Sequence, residues 1–218
     1  MGHDIRIDRS KLHPWLNYKL TLLLNQCEKK GIYLIITQGF RSKAEQDSLY
    51  AQGRTKPGNI VTNAKGSDYS SQHQWGIAFD IALKYDVDGD GQIADDTYNN
   101  KGIKDVAKIA KSKKVGLAWG GDWVSPVDTP HFYLDKWGDT PSKLKRTYKT
   151  FDNFKKTWTK KVSGANKNGI RIFGKSKITV LKKGLKNGTV VNVMYVKGNW
   201  VKVEYKGTVG YCKAKYLK

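Results

Sequence analysis

The sequence predicts an α+β domain, a small antiparallel sheet with flanking helices, followed by a small all-β barrel. Three observations carry this. Apolar residues recur at helical spacing in two stretches of the first two-thirds of the chain. Short strand-like runs lie between and after them. Beyond a basic, aromatic stretch at 145–161, every apolar run is short and most are bounded by glycine. At 218 residues the chain can hold two cores without disulfide staples.

The elements follow in order. Leu16, Leu20, Leu23, Leu24 and Cys27 share a helical face and Gly31 is a natural stop, so a helix is expected over 14–30. Residues 32–37, IYLIIT, read as a buried strand. Ser42 and Glu45 form an S-x-x-E capping box that opens a helix ending before Gly53. Residues 53–72 are polar, aperiodic and glycine-bearing, a long loop of the kind that is usually functional. IAFDIAL then alternates as a half-buried strand carrying Asp80, a helix with Val106, Ile109 and Ala110 on one face spans 101–113, and GLAWGG and HFYL are short strands. The expected division is 1–145 for the first domain, 146–161 for a basic linker and 162–218 for the barrel.

The formal net charge is +21, and residues 160–218 carry fifteen Lys and Arg against the single Glu204. So basic a surface attracts polyanions, whether nucleic acid, anionic headgroups or wall phosphate polymers, and charge alone does not choose among them. No reading helix or stacking motif for nucleic acid stands out. Cys27 and Cys212 read as two buried free thiols. The N-terminus shows no charged-then-apolar export signal and no apolar run approaches a membrane span, so neither export nor membrane insertion is expected, and the chain is expected to be a monomer.

A catalytic zinc needs about three N, O or S ligands and one open position. His73 and Asp80, seven apart around Gly76 and Ala78, offer two, and Asp128-Thr-Pro-His131 offers a third with a carboxylate beside it. On spacing alone, His73 and His131 also fit ordinary polar residues, with Asp80 a strand-end carboxylate. Residues 71–80 fit S-x-H-x-x-G-x-A-x-D and residues 128–132 read DTPHF. With Q-G-F-R at 38–41, Glu45, Gln46, Tyr50 and T-N-A-K-G at 62–66, roughly residues 5–137 resemble the LAS or VanY-type zinc peptidases, especially the L-alanyl-D-glutamate peptidase endolysins of phages that infect Gram-positive bacteria. The resemblance implies a hedgehog/D-Ala-D-Ala peptidase-like fold. It implies zinc on His73, Asp80 and His131, Asp128 as general base, Arg41 facing an oxyanion or substrate carboxylate, and Gln46 and Ser71 as pocket residues.

Two further features stand apart. Asp86, Asp88, Asp90, Gly91, Gln92 and Ile93 reproduce the first half of an EF-hand loop, a candidate calcium site or an acidic surface turn, with Thr97 where a bidentate Glu belongs and only Asp95 or Asp96 to substitute. Residues 162–218 resemble a bacterial SH3 (SH3b) domain through L-K-N-G-T at 185–189, G-N-W-V-K-V at 198–203 and G-Y-C-K-A-K-Y-L at 210–217. That likeness implies wall binding, with anionic wall polymers suiting its charge and Tyr195, Tyr205 and Tyr211 available to line a groove, while Trp200 is expected in the core. The expectation is a phage endolysin that cuts the L-Ala-D-Glu bond of peptidoglycan, kept in the host cytoplasm until a holin releases it to the cell wall. The alternatives are a D,D-carboxypeptidase of the same family and a non-catalytic wall-binding protein.

Overall fold

The structure, a computed structural model, describes residues 2–218. It is α+β in its first part and all-β in its second. One compact unit runs to Phe151. The other comprises Asp152–Lys218 together with His13–Trp15.

In the first unit five strands form one sheet: β1 (Asp4–Ile5), β2 (Leu34–Gln38), β3 (Ala78–Leu83), β4 (Ala118–Trp119) and β5 (His131–Tyr133), in the order β1-β2-β3-β5-β4. All pairings are antiparallel except the short β1 against β2. Helix α1 (Pro14–Glu28) buries Leu16, Leu20, Leu23, Leu24 and Cys27, the face its periodicity predicts. Each such leucine contributes about 1.5–3 kcal/mol of transfer free energy, so packing rather than helix propensity holds α1. Helix α2 (Lys43–Ala51) opens on the expected capping box, with Ser42 Oγ accepting from Glu45 N at 3.2 Å and the Glu45 carboxylate accepting from Ser42 N at 2.7 Å. Helix α3 (Asn100–Lys111) buries Ile103, Val106, Ala107, Ile109 and Ala110.

Two details differ from the sequence expectation. β3 is buried along its length rather than on one face, and only Asp80 keeps partial exposure. It is a central strand, flanked by β2 and β5, and Ala78 and Ala82 make the Asp80 face small. The long polar segment is not wholly irregular either, since it closes into 3₁₀ turns at Gly66–Asp68 and Gln72–Trp75. The second of these carries His73.

After helices α4 (Ser142–Tyr148) and α5 (Phe151–Lys155) come β6 (Thr159–Lys161), β7 (Ile170–Phe173), β8 (Val180–Leu185), β9 (Val190–Lys197), β10 (Trp200–Tyr205) and β11 (Thr208–Lys213). They form an antiparallel sheet in the order β6-β9-β10-β11-β7-β8, over a core that includes Ile170, Ile172, Val191, Val201, Val203 and Cys212. The basic segment 146–161 therefore contains helix and, in β6, a strand paired with β9. Both cysteines are buried free thiols, and burial pushes each up to about 12. Among the described residues no helix is long and apolar enough to cross a membrane.

Candidate metal centre and active site

Backbone register brings the first two site residues together. Asp80 on β3 is the cross-strand partner of His131 on β5, so their side chains stand on one face of the sheet. His73 arrives from the 3₁₀ turn, which ends at Gly76 with φ +62, a left-handed conformation that favours glycine. Strand β3 starts two residues later, at Ala78. The segment bearing Asp128 is held by Asp128 N donating to Gly120 O at 3.1 Å, and a Cβ on Gly120 would lie 2.5 Å from Asp128 O. Only glycine permits that approach.

The protons on both imidazoles can be assigned from their partners. His73 Nδ1 lies 2.7 Å from Gly39 O, a carbonyl that can only accept, so Nδ1 carries the hydrogen and Nε2 the lone pair. Gln72 Nε2 donates to Gly138 O and Asp139 O at 3.2 and 3.0 Å, which turns Gln72 Oε1 toward His131 Nε2 at 2.6 Å. His131 Nε2 is therefore the donor, and its Nδ1 carries the lone pair. The two lone-pair nitrogens are 3.2 Å apart, and Asp80 Oδ1 lies 2.9 Å from His131 Nδ1 and 3.2 Å from His73 Nε2. With both rings neutral, three acceptors thus face one another without a hydrogen between them.

That triangle fits a cation. Ligands about 2.0–2.1 Å from a tetrahedral zinc lie roughly 3.3–3.4 Å from each other, close to the observed edges. Both rings are buried, and each donates its second nitrogen to a fixed acceptor, the usual support for metal-bound histidine. Burial works against the Asp80 carboxylate, but the charge and hydrogen bonds of the two imidazoles in their protonated form outweigh it and hold the group well below the usual carboxylate range. The set is a donor group for zinc or a similar divalent ion.

A cleft of 740 Å³ opens beside the triangle, lined by Arg41, Ser71 and Asp128 as well as His73, Asp80 and His131. Burial and the Asp80 charge raise the Asp128 carboxyl above its ordinary value, against the pull of His131, His73 and Arg41. A raised carboxylate is a better proton acceptor. Arg41 donates from Nη1 to Gln46 Oε1 at 2.9 Å, and burial lowers its pKa against the support of Asp80, Asp128 and Glu45. Gln46 has 0% exposure, and its Nε2 is taken by Thr62 Oγ1 and Ala64 O. It stands behind Arg41 and orients it, rather than facing the cleft.

Other expected residues are not brought together. Asp86 and Asp88 converge with Asp96, their oxygens within 4.8 Å of one another, whereas Asp90 turns to accept from Gln92 N at 2.7 Å. Although the Asp90 N–H lowers Asp88, burial and the carboxylates of Asp90, Asp96 and Asp86 together raise it. Tyr195 and Tyr211 share a hydroxyl contact of 2.9 Å, but Tyr205 packs on the core of the second unit. Sequence reasoning missed Gln72 and Trp123. Trp123 lines the cleft 5.1 Å from the His131 ring and donates from Nε1 to Tyr133 Oη. Neither residue type signals a role by itself: Gln72 acts through His131, 59 residues away, and Trp123 through its packing on that ring.

Comparison with known proteins places the chain. A family model described as D-alanyl-D-alanine carboxypeptidase matches residues 65–134, which contain the triangle and Asp128, and one described as bacterial SH3 domain matches residues 176–218. The peptidoglycan L-alanyl-D-glutamate endopeptidase CwlK of Bacillus subtilis (strain 168) is 42% identical over 133 residues, 57% of this chain and 74% of that protein. The chain belongs to the L-alanyl-D-glutamate endopeptidase family of peptidoglycan peptidases. Another relative in this family, the L-alanyl-D-glutamate peptidase of Listeria phage A118, is 30% identical over 115 residues, 52% of this chain and 34% of that protein. A solved structure, the L-Ala D-Glu endopeptidase ChiX of Serratia marcescens, is similar at 20% identity and a TM-score of 0.31 over 58% of this chain and 82% of that one.

The hydrogen bonds behind the acceptor triangle give a prediction for this family member. Gln72→Ala removes the acceptor that fixes the His131 tautomer, and zinc affinity is expected to fall about 10–100-fold. Competition against a chromophoric chelator measures it.

Proposed function

We propose that the chain hydrolyses the L-Ala-D-Glu bond of the peptidoglycan stem peptide at the His73, Asp80 and His131 centre, with zinc as the metal. The observation that carries this is the triangle of three acceptors whose other atoms are already fixed. A zinc ion held there supplies Lewis acidity, polarising a carbonyl and acidifying water. Asp128 accepts the proton of the attacking water and returns it to the leaving amine nitrogen, a double task that its raised pKa suits. Arg41, held by Gln46, presents a fixed cation to the oxyanion as it develops or to a substrate carboxylate. Ser71 lines the same cleft and is available to the stem peptide.

The description of the matching family model favours a second reading, removal of terminal D-alanine by the same centre. Mass analysis of digested muropeptides separates the two: a new D-glutamate amine supports the first, loss of terminal D-alanine the second.

The second unit is read as the wall-binding module, supported by its SH3 match and its excess of basic residues. The likeness to a Listeria phage peptidase supports an endolysin acting on a Gram-positive wall after holin-mediated release. For the acidic turn, the calcium reading now rests on Asp86, Asp88 and Asp96. Added calcium is expected to raise the Tm of metal-stripped, zinc-restored protein, and a flat titration would remove calcium from the account.

A further inference from the structure

The second unit contains a cavity of 370 Å³ that plays no part in the peptidase chemistry. Strand alternation builds it. In β7, Ile170 and Ile172 enter the core while Arg171 and Phe173 take the opposite face. In the β10 and β11 ladder, Val201 pairs with Cys212 inside, and Trp200 pairs with Lys213 on the outer face. Trp200, expected in the core, is thus only partly buried.

The chemistry of the cavity is consistent around its rim. Phe173 meets Trp200 edge-on with ring centroids 5.7 Å apart, and Lys213 Nζ stands 4.1 Å from the centre of the Trp200 ring. Lys177 Nζ lies 5.4 Å from the same ring. Asn166, Asn168, Arg171, Phe173, Trp200 and Lys213 line the space, and no carboxylate does. Glu204, the one acid of residues 160–218, is engaged elsewhere by Asn192 Nδ2 and Gly207 N, each at 2.6 Å. Cations gathered over an aromatic floor repel one another until an anion joins them.

We propose that this cavity binds a phosphodiester group of a polyanionic wall polymer. Arg171 offers a planar fork to two phosphate oxygens and Lys213 a point charge restrained by the Trp200 face, so little side-chain freedom is lost on binding. The Phe173 and Trp200 rings give apolar surface to the carbon skeleton between phosphates. The inference rests on reading the second unit as a wall-binding module, and it moves the contact from the three tyrosines to the Trp200 end of the sheet.

The test uses the full chain carrying Asp128→Ala, so that walls survive the assay. Binding is measured by co-sedimentation with purified Gram-positive walls, either intact or stripped of phosphate polymers by hydrofluoric acid. Arg171 and Lys213 are both exposed, so Arg171→Gln with Lys213→Gln should fold normally, which a thermal melt checks. This pair is expected to weaken binding to intact walls by about tenfold or more, the scale of a lost charge-assisted hydrogen bond. Lys182→Gln with Lys183→Gln on exposed β8 removes the same charge and should cost less than about threefold. Stripped walls should bind the parent no better than intact walls bind the cavity variant.

Equal losses from the two charge pairs would mean diffuse attraction and overturn the proposal. Tight binding to stripped walls would also overturn it, in favour of a glycan or peptide ligand. If the parent binds neither preparation, the wall-binding reading itself fails, and the cavity assignment falls with it.

Discussion

Asp128→Ala is expected to abolish hydrolysis while leaving zinc occupancy and wall binding intact. The carboxylate lines the cleft beside the ligand triangle and belongs to none of its edges. Its loss therefore removes the proton acceptor without removing a ligand. Loss of general base catalysis costs about 10²–10⁴-fold in rate. Asp128→Asn should behave alike, since the amide keeps the shape but takes no proton. Turnover of a defined stem peptide, read beside bound zinc per chain, checks both halves. A variant that loses zinc with activity would show that Asp128 holds the metal instead.

The second large effect is expected from His131→Ala. Removing this ring deletes the Nδ1 corner of the triangle and leaves Asp80 and His73 as an incomplete set. Zinc affinity should fall by more than the 10–100-fold expected for an outer partner such as Gln72, and hydrolysis should drop to background. The metal-free protein should also be less stable. Gln72 Oε1 loses its buried partner, at about 1–3 kcal/mol, and the Trp123 and Tyr133 rings lose a neighbour at 5.1 and 5.6 Å. Denaturant unfolding without metal, compared with Asp128→Ala, separates this structural cost from the catalytic one.

The residues of the acceptor triangle and Asp128 were legible because each half of the candidate site is local in sequence. His73 and Asp80 lie on one turn and the strand it starts, and Asp128 and His131 lie on one short segment, so residue types at fixed spacing carry the pattern. Helices α1 and α3 were legible for a similar reason, since a buried face repeats every three to four residues.

What the sequence hid depends on distant partners. Gln72 matters through the ring orientation of a histidine on β5, and Gln46 is fixed toward Arg41 by Thr62 and Ala64 on the segment beyond α2. The grouping of His13–Trp15 with residues 152–218 is a long-range contact that no local pattern encodes. In the acidic turn, the EF-hand pattern favoured Asp90, but its carboxylate accepts from a backbone N–H two residues on, and Asp96 joins the cluster instead. Tyr205 is the exception. It shares strand parity with the buried Val201 and Val203, so alternation alone would have placed it on the core side.

By the proposed mechanism the acceptor triangle and Asp128 cut the peptide bond after L-alanine. Mass analysis of stem-peptide fragments, after digestion with metal-stripped protein and with protein restored by one equivalent of zinc, tests it most directly. Fragments with a new D-glutamate amine are expected from the zinc-restored protein and none from the stripped protein. Fragments lacking only terminal D-alanine, or cleavage that does not depend on the metal, would contradict it.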